Sequence, residues 1–244
     1  MESSNATQAR PTERGIENSS RSSATRRAEG HRENRHGAAI KRTVDLALGS
    51  GLIVLLTPVM LLIALAVKID SRGPALFRQR RLGLDRQPFI VMKFRTMAAD
   101  SSPALHERFI AELAATSRNG DTPCNGNGGI KKLTADPRVT TVGRFLRRTS
   151  LDELPQLFNV IGGSMSLVGP RPALEYELEH YDQRHLKRFR VRPGITGLWQ
   201  VSGRNSLDFH EMLDLDVEYS ENPTLATDIH ILVRTPVAAI HHAA

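Results

Sequence analysis

The sequence predicts an α+β protein, predominantly helical, seated on a membrane-embedded apolar segment. Three observations predict it: an uncharged run from Leu46 to Val67, short alternating segments after that run, and three amphipathic stretches of helical spacing toward the C terminus. The 244 residues suffice for a sizeable core. The mean hydropathy of -0.30 averages one concentrated apolar segment against a polar remainder. With 33 Lys+Arg against 26 Asp+Glu, the formal charge of +7 points to an anionic partner: nucleic acid, phospholipid headgroups or a phosphorylated small molecule. The single cysteine, Cys124, rules out an intrachain disulfide framework and a cysteine-based structural zinc site.

Residues 1–39, rich in Ser, Arg, Glu and Asn, cannot bury enough apolar surface to order themselves and are expected to form a disordered basic tail. The apolar run begins too late for a signal peptide and lacks a small-residue cleavage site. Residues 40–70 are the membrane segment. As a continuous helix the uncharged run would be about 33 Å long, enough to span a bilayer core. Thr57-Pro58 interrupts it at the middle, where proline removes a backbone hydrogen bond. Lys41 and Arg42 precede the run and Lys68, Arg72 and Arg78 follow it, so the charges orient no span. A re-entrant helix-break-helix hairpin, with the Thr57 hydroxyl satisfying a freed backbone group, is preferred over a bitopic helix.

Residues 71–244 read as a mixed domain. Pro74 to Arg81 and Phe89 to Phe94 suit strands. Leu105 to Ala115 suits a helix, residues 117–129 are turn formers and predict a mobile loop, and helices are expected at about 174–190, 206–220 and 224–240.

The chemistry concentrates in Arg147-Arg148-Thr149-Ser150-Leu151-Asp152-Glu153-Leu154-Pro155-Gln156, where two carboxylates lie beside two guanidinium groups. The plainer account is helix capping. A Ser150-x-x-Glu153 box places Pro155 too deep in the helix, whereas an Asp152 cap places it third. Capping explains one acid and leaves the second. At a helix start the Asp152 carboxyl is expected to have a lowered pKa and to be ionised, as a nucleophile on phosphorus must be, with Glu153 available for Mg²⁺. Arg171, between Pro170 and Pro172, is either a rigid surface turn or a fixed fork for phosphate oxygens. The segment from Gly194 to Asn205, with Trp199, Gln200 and Arg204, suits a nucleotide base and its phosphates, although a lone Trp serves equally as core. Lys93 and Arg95 face either phosphate or solvent. The scattered histidines lack a carboxylate pattern that would make a zinc site.

Together these segments resemble the bacterial sugar transferases known as monotopic phosphoglycosyl transferases, over roughly residues 40 to 240. The resemblance rests on Lys41-Arg42-x-x-Asp45 and the Thr57-Pro58 break, Lys93-Phe94-Arg95-Thr96-Met97, Asp136-Pro137-Arg138, Ser150 to Asn159, Met165 to Pro172, and Arg192-Pro193-Gly194-Ile195-Thr196-Gly197. It is nearest the short exopolysaccharide enzymes that place galactose or glucose 1-phosphate on undecaprenyl phosphate.

The resemblance implies a reaction of UDP-hexose with undecaprenyl phosphate that yields the lipid diphospho-hexose and UMP, with Mg²⁺, at the cytoplasmic face of the bacterial inner membrane. It implies Asp152 as nucleophile, Glu153 as Mg²⁺ ligand and Arg147 and Arg171 as phosphate contacts. Lys93, Arg95 and Arg204 are carried as further substrate-binding candidates, and Asp216 and Asp228 as secondary acids. Three departures stand out: Ser164 occupies a position usually acidic in the family, Thr57 replaces the commoner serine, and the loop 117–129 is longer and richer in Gly and Asn than is usual. Membrane headgroups are expected partners and nucleic acid is not, since the aromatic-poor chain offers no base-reading helix. Homo-oligomerisation stays open. The rival readings are an inactive membrane scaffold of the same fold and, more remotely, a membrane-anchored nucleic-acid-binding protein.

Overall fold

The computed structural model describes residues 13–98, 108, 110–115, 124–125, 129–130, 138–203 and 206–241. The chain divides into residues 1–43 and residues 44–244. Core and site belong to the second unit.

Helix α1 (Glu13–Asp70) differs from expectation at two places. Residues 13–39, expected to be disordered, are its first turns. Ala, Arg and Glu have serviceable helix propensity, and extending an existing helix avoids the cost of a new nucleus. Thr57 and Pro58 lie inside the helix and do not split it in two. Proline forfeits one bond to the preceding turn, while the Thr57 hydroxyl donates to the Ile53 carbonyl at 2.6 Å, which bends a helix without ending it. Within α1, Gly37–Asp70 is long and apolar enough to cross a membrane, with a hydropathy of 2.7.

From Asp45 onward one face of α1 packs on the rest of the second unit. Ile53 and Leu56 meet the core around Val160, Met165 and Ile231, and Met60, Ile63 and Val67 pack with Phe94 and Leu146. These positions follow a three-and-four spacing, the stripe of a half-buried helix. Both ends of the stripe are pinned by a carboxylate. Asp45 accepts from the Ser166 hydroxyl at 2.7 Å and the Leu167 amide at 3.1 Å, and Asp70 accepts from the Val142 amide at 3.1 Å. The opposite face, with Leu48, Leu52, Leu55, Val59 and Leu62, is exposed.

Strands β1 (Leu76–Leu82) and β2 (Pro88–Phe94) fall on the two expected strand segments and pair as an antiparallel hairpin, with Leu76 opposite Phe94 and Leu82 opposite Pro88. Residues 110–115 are helical where a helix was expected, and Leu105 lies outside the described residues. Within the turn-rich segment β3 (Cys124–Asn125) and β4 (Gly129–Ile130) pair antiparallel, a small correction to an unbroken loop. Helix α2 (Thr141–Thr149) is capped by the Thr140 hydroxyl, which accepts from the Gly143 amide. A 3-10 turn at Leu151–Glu153 leads into α3 (Gln156–Ile161). Asn159 of α3 ties down β2, accepting from the Met92 amide and donating to the Ile90 carbonyl. Ser164 donates to the Asn159 carbonyl, so it works locally in this turn.

Strand β5 (Ser166–Val168) runs parallel to β6 (Gly194–Thr196). Beside them the backbone passes so closely that a Cβ on Gly194 would lie 2.1 Å from the Gly169 amide nitrogen. That contact explains both glycines in their motifs. The single helix expected at 174–190 is two 3-10 helices, Glu175–His180 and His185–Arg190. Asp182 separates them by accepting from the Arg184 and His185 amides, a side-chain bond that competes with helical continuation. Helices α4 (Leu198–Ser202), α5 (Phe209–Glu221) and α6 (Leu225–His241) complete the chain.

Candidate active site

The two acids sit in the 3-10 turn between α2 and α3. Ser150 ends α2 in the left-handed region, at φ 57°, and turns the chain sharply. Pro155 takes the N-cap position of α3, where no amide is needed. Neither the Ser150 box nor an Asp152 cap forms, because the turn intervenes. Glu153 is held by Lys93 of β2, Nζ to Oε1 at 2.6 Å. Asp152 forms no salt bridge among the described residues. Its pKa also departs from expectation. Burial, then the neighbouring Glu153 charge, raise the Asp152 carboxyl to about 6, and Lys93 and Arg147 offset only part of that. A helix terminus alone would lower this pKa, and burial outweighs it.

Lys93 and Glu153 line a cavity of about 180 Å³ with Arg81, Arg171, Gln156, Trp199 and Gln200. Arg171 is presented by a clamped backbone. The buried Arg188 donates to the Arg171 carbonyl at 2.7 Å and ion-pairs with the buried Asp216. Burial pushes the Asp216 carboxyl up, and the Arg188 guanidinium pulls it back. Arg188 also donates to the Tyr181 hydroxyl, so one buried cation fixes three partners. Asp216 therefore lies behind the cavity and holds one of its walls.

Other expected site residues lie elsewhere. Arg147 donates from Nε to the Thr96 hydroxyl at 2.9 Å and reaches Asp152 by its charge. Arg95 is buried against the end of α1, donating to the Arg72 and Ser71 carbonyls and the Ser71 hydroxyl. This corrects its assignment to substrate: in a strand, Lys93 and Arg95 share one parity, but β2 ends at Phe94 and the chain turns away. Asp228 is buried and accepts from the Tyr219 hydroxyl at 2.6 Å, within the core and away from the cavity lining. Thr57 and Pro58 are part of α1. Arg204 lies outside the described residues.

Three residues at the site were not singled out from the sequence: Gln156, Arg188 and Arg81. In the sequence Arg81 marks only the end of a strand segment. Strand parity does not mark it: Arg80 is exposed while Arg81 and Leu82 are both buried, because the end of β1 packs inward as a whole.

The family profile described as bacterial sugar transferase matches residues 36–242. The chain belongs to that family. The transferase is 42% identical over 199 residues to the exopolysaccharide production protein ExoY of Rhizobium meliloti, covering 82% of this chain and 84% of that protein. It is 40% identical over 210 residues to an undecaprenyl-phosphate galactose phosphotransferase of Salmonella typhimurium, covering 86% of this chain and 42% of the relative. It is 39% identical over 204 residues to a UDP-glucose:undecaprenyl-phosphate glucose-1-phosphate transferase of Escherichia coli, covering 80% and 39%. The transferase thus spans about two fifths of the two longer relatives and most of the shorter one.

Proposed function

We propose that this sugar transferase moves hexose 1-phosphate, galactose or glucose, from UDP-hexose to undecaprenyl phosphate and releases UMP. Asp152 carries the reading. Among the described residues it forms no salt bridge, and it lies next to a lysine-bound Glu153 that lines an arginine-bearing cavity. A carboxylate oxygen of Asp152 attacks the sugar-bearing phosphorus. The bridging P–O bond to UMP breaks, leaving an aspartyl phosphosugar. An oxygen of the lipid phosphate then attacks the same phosphorus, and the bond to Asp152 breaks, which returns the carboxylate and forms the lipid diphospho-hexose. Arg171 and Lys93 supply positive charge where phosphoryl charge develops.

Mg²⁺ binds through one or two protein carboxylates plus phosphate oxygens. The Asp152-Glu153 pair suits that donor set, and no cluster of three or more His, Cys, Asp or Glu forms a separate metal cage among the described residues. Glu153 would hold the ion, which neutralises phosphoryl charge when bound.

Membrane placement follows the same physics. The exposed apolar face of α1 enters the cytoplasmic leaflet of the inner membrane, and the domain pinned to the helix at Asp45 and Asp70 stays at the headgroups. The lipid phosphate lies there while its tail remains in hydrocarbon.

The test is UMP release from purified protein with UDP-galactose or UDP-glucose, Mg²⁺ and undecaprenyl phosphate, beside Asp152→Asn. Lipid-dependent release, lost in the variant by at least about a thousandfold, supports the reading. Substantial activity in folded Asp152→Asn sinks the covalent route, and silence with every nucleotide sugar favours the scaffold.

A further inference from the structure

Arg81 of β1 is buried, with 5% of its surface exposed, and it lines the cavity that Glu153 and Arg171 also line. Its bonds are all to neutral acceptors. Nη1 donates to the Pro172 carbonyl at 2.7 Å, and Nε and Nη2 donate to the Gln79 side-chain oxygen at 3.1 and 2.8 Å. Each terminal nitrogen carries two N–H groups, so each keeps one uncommitted by these bonds.

No acid forms a salt bridge with Arg81 or Arg171 among the described residues. The nearby cation Lys93 is already taken by Glu153. A buried charge without an ion-pair partner is costly, and here a second guanidinium repels it. Burial, then Arg171, lower Arg81 to about 10, and the Glu177 and Glu153 charges offset only part of that. The fold nevertheless fixes this arginine in place, tied by the Pro172 carbonyl to the loop that carries Arg171. An anion seated between the two guanidinium groups relieves both costs, and a phosphate matches their forked donors.

We propose that Arg81 and Arg171 form the phosphate-binding pair of this cavity, with Arg81 as its fixed, buried member. The assignment rests on the transferase reading for the identity of the substrates. The phosphate belongs either to the nucleotide diphosphate or to the lipid, and the experiment separates the two.

Full-length protein in detergent is assayed as wild type, Arg81→Gln, Arg81→Lys and Arg78→Gln, the last an exposed arginine of the same strand. KM is measured for UDP-hexose at saturating lipid phosphate and for undecaprenyl phosphate at saturating UDP-hexose. Arg81→Gln is expected to raise one KM by about ten- to a hundredfold, with a smaller change in kcat. Arg81→Lys, which keeps the charge and loses the fork, raises the same KM by a few fold, about three or more. Arg78→Gln changes neither.

A rise for UDP-hexose, with UDP binding weakened in calorimetry, assigns the nucleotide diphosphate. A rise for undecaprenyl phosphate alone assigns the lipid phosphate. Unchanged KM values in folded Arg81→Gln overturn the pair, as does a loss confined to kcat and melting temperature. If Arg81→Gln does not fold, unchanged KM values in Arg81→Lys overturn it. Should the wild type release no UMP, the transferase reading fails separately. Calorimetry with UDP and with inorganic phosphate then decides, and affinities for both that equal the wild type's in Arg81→Gln or Arg81→Lys overturn the pair.

Discussion

Burial and the Glu153 charge raise the Asp152 carboxyl from 3.8 to about 6, which bears on both rate and stability. A protonated carboxyl is a poor nucleophile, so UMP release should climb as pH rises through about 6 and level off above it. For stability the sign is the opposite of that for a salt-bridged acid. The folded state holds the Asp152 proton to a higher pH than the unfolded chain does, so ionisation costs stability as pH rises from about 4 to beyond 6. Asp152→Asn should therefore melt above the wild type at pH 8, and the gap should close near pH 3.5. Melts that coincide at pH 8 would show that Asp152 is not strained by its surroundings. The acid pair itself was plain in the sequence. Its protonation was not, because burial depends on how β2, α2 and α3 pack around the turn.

The elements around the site are held by side chains that cap or cross-tie them. Arg95 is the example that sequence reading misplaced. Adjacent to Phe94 in a basic motif, it looked like a phosphate ligand, yet its guanidinium closes the C-terminal turn of α1 through Ser71 and Arg72. Arg95→Ala should cost about 2–3 kcal/mol of stability by stranding those carbonyls. It should leave the KM for UDP-hexose within about twofold, as loss of a phosphate ligand would not. Denaturant melts and steady-state kinetics on one preparation check this, and a tenfold KM rise at unchanged stability would return Arg95 to the substrate. The strands β1 and β2 were legible from alternation and the helices α5 and α6 from their period, while the pairing of the strands was not. The stretch 174–190 was not, because Asp182 caps backbone amides that a helix would have used.

Across the molecule, the apolar stretch of α1 is bound at Asp45 and at Asp70 to the same unit. A bitopic span would carry those two ends to opposite faces of a hydrocarbon core about 30 Å thick. Single cysteines at positions 41 and 72, introduced after removal of Cys124, should both react with an impermeant reagent only from the cytoplasmic face. Labelling from opposite faces would establish a span and overturn the placement proposed for the site. Length, hydropathy and flanking charge read from the sequence admitted both topologies. The packed stripe on α1 and its two carboxylate anchors favour the one in which the helix stays with its domain.

The sequence by itself determined the family, the acid pair at Asp152 and Glu153, the two strand segments and the long apolar run, because these are written in local order and period. The tertiary structure alone decided which cations face the cavity. Arg81, Arg95 and Arg171 look alike in the chain, and only packing buries the first beside the third and turns the second onto α1. It also decided that Asp216 and Arg188 work behind the site, since a charge pair separated by 28 residues is brought together by folding and by nothing in either segment's own pattern.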